Sequence, residues 1–336
     1  MAESSREVWL RQVQEEILEP DRPIVDPHHH LWRDRGVLPA YLLEDLWADT
    51  GSGHNVVQTV FLECGSEYRS DGPDHLKPVG ETEFVAGQAA ESEKGGEGAA
   101  RISAIVAHAD LRLGERVEEV LARHEESGRG LFRGIRDAGA RDQDPDALMI
   151  PGRAPEGLYQ DAAFQKGLKR LGQLGYSFDT WHYHHQNPAF AALARAVPDT
   201  AMVLDHFGTP LGVGRFAGRR AEIFEQWKKD VAEIAECPNV IAKLGGLAMP
   251  DNGFGWMERE RPPGSDEFVE AQAPYYLHMI ECFTPERCMF ESNFPVDRLS
   301  ISYPVLWNGL KKIARGFSED EKDAMFRGTA SRVYRL

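Results

Sequence analysis

Asp26, His28 and His30 stand at alternate positions in the run Ile24-Val25-Asp26-Pro27-His28-His29-His30-Leu31-Trp32. If that run is a strand, alternate side chains share a face, so all three point the same way. Two neutral imidazoles one pleat apart can hold one divalent ion, because ring nitrogens suit zinc, nickel, copper and iron. Asp26 then lies one pleat deeper on that face. A His-rich polar loop would have the same composition, so the motif takes its meaning from the rest of the chain.

The elements that must position these residues are legible as an alternation. Short β-branched or apolar runs occur at Ile24 to Asp26, Val56 to Glu63, Ile102 to Ala107, Leu131 to Arg136, Tyr176 to Trp181, Ala201 to His206, Val240 to Leu244 and Cys288 to Ser292. Segments of helical period separate several of them. Gly114 to Glu126 is one, with Val117, Val120, Leu121 and His124 at steps of three and four; others are Asp161 to Leu174, Arg220 to Glu236, Asp266 to Cys282 and Val305 to Arg315. Strands separated by helices predict βαβ units and a parallel sheet. Eight of them fit a (β/α)8 barrel better than an open sheet, and no GxGxxG turn follows any strand. Residues 1–20 read as an N-terminal helical extension (helix Glu7 to Leu18, stopped at Pro20), and residues 21–336 as one barrel domain. Ser66 to Gly80, Asp137 to Gly157 and Met249 to Ser265 read as long loops over the active face.

Composition narrows the class. The chain has 336 residues, 42% of them hydrophobic, with seven Trp and sixteen Phe, enough to build a large core and too many for disorder. A net charge of −16 makes nucleic acid and anionic membranes poor partners. Four dispersed cysteines without a CxxC pair suit a reducing setting. The expected location is therefore cytoplasmic, since neither a signal-peptide pattern nor a long apolar span is visible. The expected partner is a small-molecule substrate, with homo-oligomerisation left open.

In a (β/α)8 barrel, chemistry lies at the C-terminal ends of the strands. His28 and His30 end the first strand and Glu63 the second, His108 and Asp110 follow the third, and Arg136 closes the fourth. His182, His184 and His185 follow the fifth, Asp205 and His206 end the sixth, Lys243 sits in the seventh, and Glu291, Asn293 and Asp297 collect at the eighth. One such histidine is ordinary packing. Histidines after strands 1, 5 and 6 together make packing a much weaker account and a site the stronger expectation.

In order, Asp26-Pro-His-His-His-Leu-Trp32, Phe132-Arg-Gly-Ile-Arg136, Ser177-Phe-Asp-Thr-Trp181, Tyr183-His-His-Gln186, Asp205-His-Phe-Gly-Thr-Pro210, Lys243-Leu-Gly-Gly-Leu247 and Met289-Phe-Glu-Ser-Asn-Phe-Pro-Val296 resemble one family. It is the amidohydrolase superfamily, in the branch of barrel hydrolases that includes sugar lactonases and 2-pyrone-4,6-dicarboxylate lactonase. The resemblance implies that His28 and His30 are a metal pair and that His206 binds metal or polarises a substrate carbonyl. It gives His184 a ligand or substrate contact, and Arg136 a substrate carboxylate, which suits a guanidinium fork. A salt bridge within the barrel wall is an equal reading of Arg136. Trp32, Trp181 and Tyr183 are expected in the pocket wall. The implied cofactor is a divalent ion, zinc first, although activity without metal is compatible with this branch.

Strand 8 departs from the family pattern Gly-Ser-Asp-Trp-Pro, because this chain has Glu291-Ser292-Asn293-Phe294-Pro295. An amide is not a useful base, so either Glu291, Glu63 or Asp297 moves the proton or the chemistry is unlike that of the standard hydrolases, and Asn293 becomes a hydrogen-bonding group or neutral ligand. The expected reaction is opening of a lactone or related ring ester by activated water, with His206, Glu291, Asn293 and His184 catalytic and Glu63 and Arg136 at the substrate. The alternatives are a decarboxylase of the same superfamily and a small-molecule-binding barrel that has lost its base.

Overall fold

The computed structural model describes residues 5–33, 38–96 and 98–336. Eight parallel strands form one sheet in chain order: β1 (Ile24–His29), β2 (Val56–Leu62), β3 (Arg101–Ala107), β4 (Phe132–Arg136), β5 (Ser177–Thr180), β6 (Met202–Leu204), β7 (Val240–Leu244) and β8 (Cys288–Phe290). Just past β8 the sheet meets β1 again. The Asn293 amide donates to the His28 carbonyl at 3.1 Å, and the His30 amide donates to the Phe294 carbonyl at 2.8 Å. The architecture is a (β/α)8 barrel.

The helices are α1 (Ser5–Leu10), α2 (Leu43–Thr50), α3 (Val79–Ser92), α4 (Val117–Ser127), α5 (Ala162–Gln173), α6 (Asn187–Ala196), α7 (Arg220–Ala235), α8 (Ser265–Phe283), α9 (Tyr303–Ile313), α10 (Glu319–Asp323) and α11 (Thr329–Tyr334). α2 to α9 each follow one strand, as right-handed βαβ crossovers require. Local chemistry starts several of them: Asp161 caps α5 by accepting from the Ala163 and Phe164 amides, and Pro188 occupies the first turn of α6. Among the described residues no helix is long and apolar enough to cross a membrane, and none of the cysteines forms a disulfide.

Two apolar layers result. Val25, Val60, Leu62, Ala104, Val106, Val203, Ile241 and Met289 fill the barrel interior, closed from below by Ala330 and Tyr334 of α11. The outward side chains, among them Ile24, Phe61, Ile135, Phe178 and Phe290, pack against the helices in a larger cluster.

Three elements differ from the sequence reading. The N-terminal helix ends at Leu10 rather than Leu18, because the following backbone is spent on tertiary partners. The Leu18 and Glu19 carbonyls accept from Lys311 Nζ at 2.8 and 2.9 Å, and the Glu16 carbonyl accepts from Asn308 Nδ2 at 2.9 Å. A helix would have used such groups internally. Second, α2, α3 and α6 stand beyond the helical segments read from the pattern, although α6 buries Phe190, Ala191, Leu193 and Ala194 on one face. Third, Asp26 does not share a face with His28 and His30. The β1–β2 register shifts between Asp26 and His29, where Pro27 can donate no ladder bond. The irregularity resets the alternation, so Asp26 turns outward and accepts from the Ser292 amide at 2.9 Å and the Tyr303 hydroxyl at 3.0 Å.

Candidate active site

β8 and β1 bring the central group together. Met289 faces the interior, so Glu291 and then Asn293 fall on the same face above it. Glu291 is fully buried and reaches two imidazoles: its Oε1 accepts from His206 Nδ1 at 2.7 Å, and its Oε2 lies 2.7 Å from His28 Nδ1. Among the described residues, His28, His206 and Glu291 place ligand atoms within 4.8 Å of one another. Two glycines make this closeness possible. A Cβ on Gly245 would sit 2.4 Å from Glu291 Cγ, and one on Gly246 (φ +77°) 2.3 Å from His206 Nδ1. The Gly-Gly pair after Lys243 is therefore a cradle for both side chains.

The backbone around the site is held in rare conformations. His206, Phe207, Thr209 and Asn293 have φ of 54°, 62°, 37° and 56°, a left-handed region that costs about 1 kcal/mol or more for such residues and clusters at functional sites. His30 Nδ1 donates to the Leu62 carbonyl at 2.9 Å. A carbonyl only accepts, so His30 Nε2 keeps its lone pair.

Below this group lies a buried charge network. Lys243 Nζ is 2.8 Å from Asp179 Oδ2 and 3.3 Å from Asp205 Oδ1, and 3.5 Å from His28 Nδ1. Tyr334, at the end of α11, donates its hydroxyl to Asp179 at 2.5 Å. Arg136 completes it, with Nε 2.8 Å from Glu63 Oε1, Nη1 3.4 Å from Asp205 Oδ2 and from His28 Nε2, and Nη2 donating to the Glu63 carbonyl.

Burial and these partners set the protonation states. Burial pushes Glu291 up to about 8, against the pull of Lys243 and Arg136. It raises Asp205 to about 6, with Lys243 opposing. It lowers His206 to about 3 and holds His28 well below its ordinary value, helped there by Lys243. Burial pulls Arg136 and Lys243 down, but their carboxylate partners outweigh it and both stand above their usual values. The histidines are therefore neutral at pH 7, as ligands or bases must be.

A cavity of about 290 Å³ opens onto this group, lined by His30, Trp32, Glu63, Arg136, Trp181, His206 and Asn293 together with apolar residues including Leu38, Ile150, Met249 and Val296. Most of the residues singled out by sequence thus meet at one mouth. Two do not. The Tyr183 hydroxyl accepts from the Gly152 amide at 2.6 Å and donates to the Ile150 carbonyl at 3.2 Å, so it braces the loop after β4 from behind. His184 Nδ1 accepts from the Leu211 amide at 3.2 Å, and its ring packs edge-on against Phe216 at 4.8 Å. Both belong to a separate region around Ala140, Leu211 and Phe216. The cluster of ligand atoms adds Glu291 to the expected His28 and His206, its carboxylate lying between the two imidazoles; His30 lines the cavity beside it, its Nδ1 held by the Leu62 carbonyl and its Nε2 left with a lone pair. Arg136 is paired with Glu63 and Asp205, the barrel-wall salt bridge that is one of its two sequence readings. Asn293 donates from Nδ2 to Asp297 Oδ1 at 2.8 Å.

Sequence reasoning missed Asp179 and Tyr334. Period-two alternation along β5, from Ser177 through Asp179 to Trp181, could have found the first. Nothing local marks the second.

The amidohydrolase family model matches residues 25–336. The chain belongs to the amidohydrolase family. It is 32% identical over 337 residues to an uncharacterized protein of Sinorhizobium fredii, covering 94% of this chain and 99% of that one. It is 26% identical over 327 residues to an L-fucono-1,5-lactonase of Burkholderia multivorans, covering 93% and 96%. Crystal structures of an amidohydrolase from Burkholderia multivorans superpose over 94% of this chain and 100% of that one. The form with bound HEPES has a TM-score of 0.72 at 25% identity, and the form with bound zinc 0.71 at 24%. This amidohydrolase is a hydrolase.

Proposed function

We propose that this amidohydrolase opens a lactone or related cyclic ester of a small organic acid by activated water. The observation that carries the reading is the His206–Glu291 pair at 2.7 Å, with His206 in the cavity wall and Glu291 behind it. When Glu291 is ionised its oxygen can only accept, so His206 Nδ1 carries the proton and Nε2 offers a lone pair to the cavity. That is a base held and oriented by a carboxylate. His206 would take a proton from water as it attacks the ring carbonyl, a contribution of typically about 10²–10⁴-fold. The same proton then passes to the ring oxygen as the C–O bond breaks. The second amide proton of Asn293, a residue of the cavity wall, would meet the charge that develops on the carbonyl oxygen. The relative named a lactonase points to the same class.

The residues fit a divalent ion. Two imidazoles and a carboxylate are a donor set that zinc accepts, and the buried Glu291 Oε2 and Asp205 Oδ1 accept no well-aligned hydrogen bond, although His28 Nδ1 and Lys243 Nζ lie beside them. With Glu291 ionised, the contact-linked groups also run to four carboxylates (Glu63, Asp179, Asp205, Glu291) against two cations (Arg136, Lys243), two charges short of neutrality. His28, His206 and Glu291 would hold such an ion. When bound it lowers the pKa of water towards about 7 and polarises a carbonyl.

The test is a panel of sugar-acid and aliphatic lactones followed by proton release, beside a panel of aromatic acids followed by CO2 release, each with chelator and with added zinc. Ring opening that disappears in His206→Ala is expected. Release of CO2 with no lactone consumed would replace the reading by a decarboxylase. In parallel, zinc should raise the melting temperature of the wild type but not of the His28→Ala/His206→Ala double variant; an equal shift in both would remove these residues from metal binding.

A further inference from the structure

Resting on the ring-ester reading of this same cavity, we infer that Glu63 makes the pocket selective for lactones that carry no carboxylate of their own. Arg136 is the guanidinium of the cavity wall, and among the described lining residues it is the sole Arg or Lys. Every nitrogen of its fork is engaged. Nε is 2.8 Å from Glu63 Oε1, Nη2 meets the Glu63 carbonyl, and Nη1 is 3.4 Å from both Asp205 Oδ2 and His28 Nε2. The pair is dry, with side-chain exposures of 7% for Arg136 and 12% for Glu63. A substrate carboxylate would have to displace Glu63 and leave that group without its partner, in surroundings already richer in carboxylates than in cations. Such exchanges are costly because the abandoned charge stays buried.

The rest of the wall agrees. Trp32, Leu38, Ile150, Trp181, Met249 and Val296 offer apolar surface. The segment bearing Ile150 is fastened by Asp251, whose Oδ1 and Oδ2 accept from the Met149 and Ile150 amides at 2.8 and 2.9 Å. Such a pocket takes an uncharged ring with an alkyl or methyl-bearing face, while its hydroxyls or ring oxygens meet Glu63, His30 and Asn293. Specificity then comes from a repulsive element, Glu63, as much as from an attractive one.

The experiment compares a carboxylated lactone with its methyl ester on wild type and on Glu63→Gln. In wild type the ester should have the higher kcat/KM, by about tenfold or more, the size of one charge-assisted contact. In Glu63→Gln the guanidinium is released and the acid should gain on the ester by a similar factor. An acid preferred by wild type overturns the inference. So does an acid-to-ester ratio that Glu63→Gln leaves unmoved while its melting temperature matches wild type. A second arm measures binding of a tetrahydropyran carboxylate and its methyl ester, which contain no scissile ester in the ring, by calorimetry. If no lactone is turned over, the lactonase reading falls, and the binding arm still decides the selectivity: weaker binding of the acid, relieved in Glu63→Gln, supports it, and equal or tighter binding of the acid overturns it.

Discussion

Glu291 is the residue on which the chemistry turns. It does not line the cavity; it acts through His206, which does. Its burial gives a signed pH dependence. The competent form has Glu291 ionised and His206 neutral. Glu291 is raised to about 8, so its ionised fraction grows as pH rises through that value; His206, lowered to about 3, stays neutral throughout. In metal-depleted protein kcat/KM should therefore climb from pH 6 to 9 with no compensating fall from His206. An added divalent ion should move the climb to lower pH, because it favours the ionised carboxylate. Glu291→Gln should lose roughly 10²–10⁴-fold in kcat/KM and flatten the profile. A variant with the wild-type rate and profile would show that Glu291 does not orient or activate His206.

The loops after the strands decide what the site accepts. The segment after β4 carries Ile150 into the cavity wall and is fastened from two sides, by Tyr183 and by Asp251 from the segment after β7. Neither Tyr183 nor Asp251 lines the cavity, so loosening them should affect binding more than chemistry. Asp251→Ala leaves two backbone donors unpaired, at about 1–3 kcal/mol each if they stay buried. The expected outcome is a KM raised about tenfold with a much smaller change in kcat. A kcat that falls with KM unchanged would place the loop in the catalytic step instead. The barrel elements themselves are firmer, since each inward strand position is locked by neighbours on both sides.

The whole molecule is tied together by segments distant in sequence. The chain before β1 lies along α8 and α9. Glu15 accepts from the Ser265 amide at 2.7 Å and from its hydroxyl at 2.5 Å, and Lys311 is buried against the Leu18 and Glu19 carbonyls and His54 Nδ1. Burial lowers Lys311 to about 8, a sign that its charge is held at a cost. Deleting residues 1–19 should therefore leave a buried cation short of acceptors. Unfolding should come at least about 5 °C lower, given roughly 2–4 °C per kcal/mol for a chain of this size. Adding Lys311→Met should restore part of the loss. A deletion with unchanged melting temperature would show that these contacts contribute nothing to stability. At the other terminus, Tyr334 reaches Asp179 beneath the site, so the last helix closes the barrel floor and completes its charge network.

The sequence by itself determined the barrel, its eight strands and the identity of most groups at its mouth. Strands of period two between helices of period 3.6 leave few topologies, and His28, His30, Glu63, Arg136, His206, Glu291 and Asn293 end strands that must open on one side. Only the tertiary structure decided how these groups are paired. The alternation in β1 is reset at Pro27, which sends Asp26 outward, and no rule of spacing predicts such a shift. Arg136 could as well have faced a ligand as Glu63, because both lie at strand ends and only their 2.8 Å separation distinguishes the cases. His184 sits one residue beyond Tyr183 in a turn whose direction depends on Leu211 and Phe216. Tyr334 meets Asp179 from 155 residues away. Local sequence encodes which face a side chain takes; which partner waits there depends on packing between elements that no local pattern records.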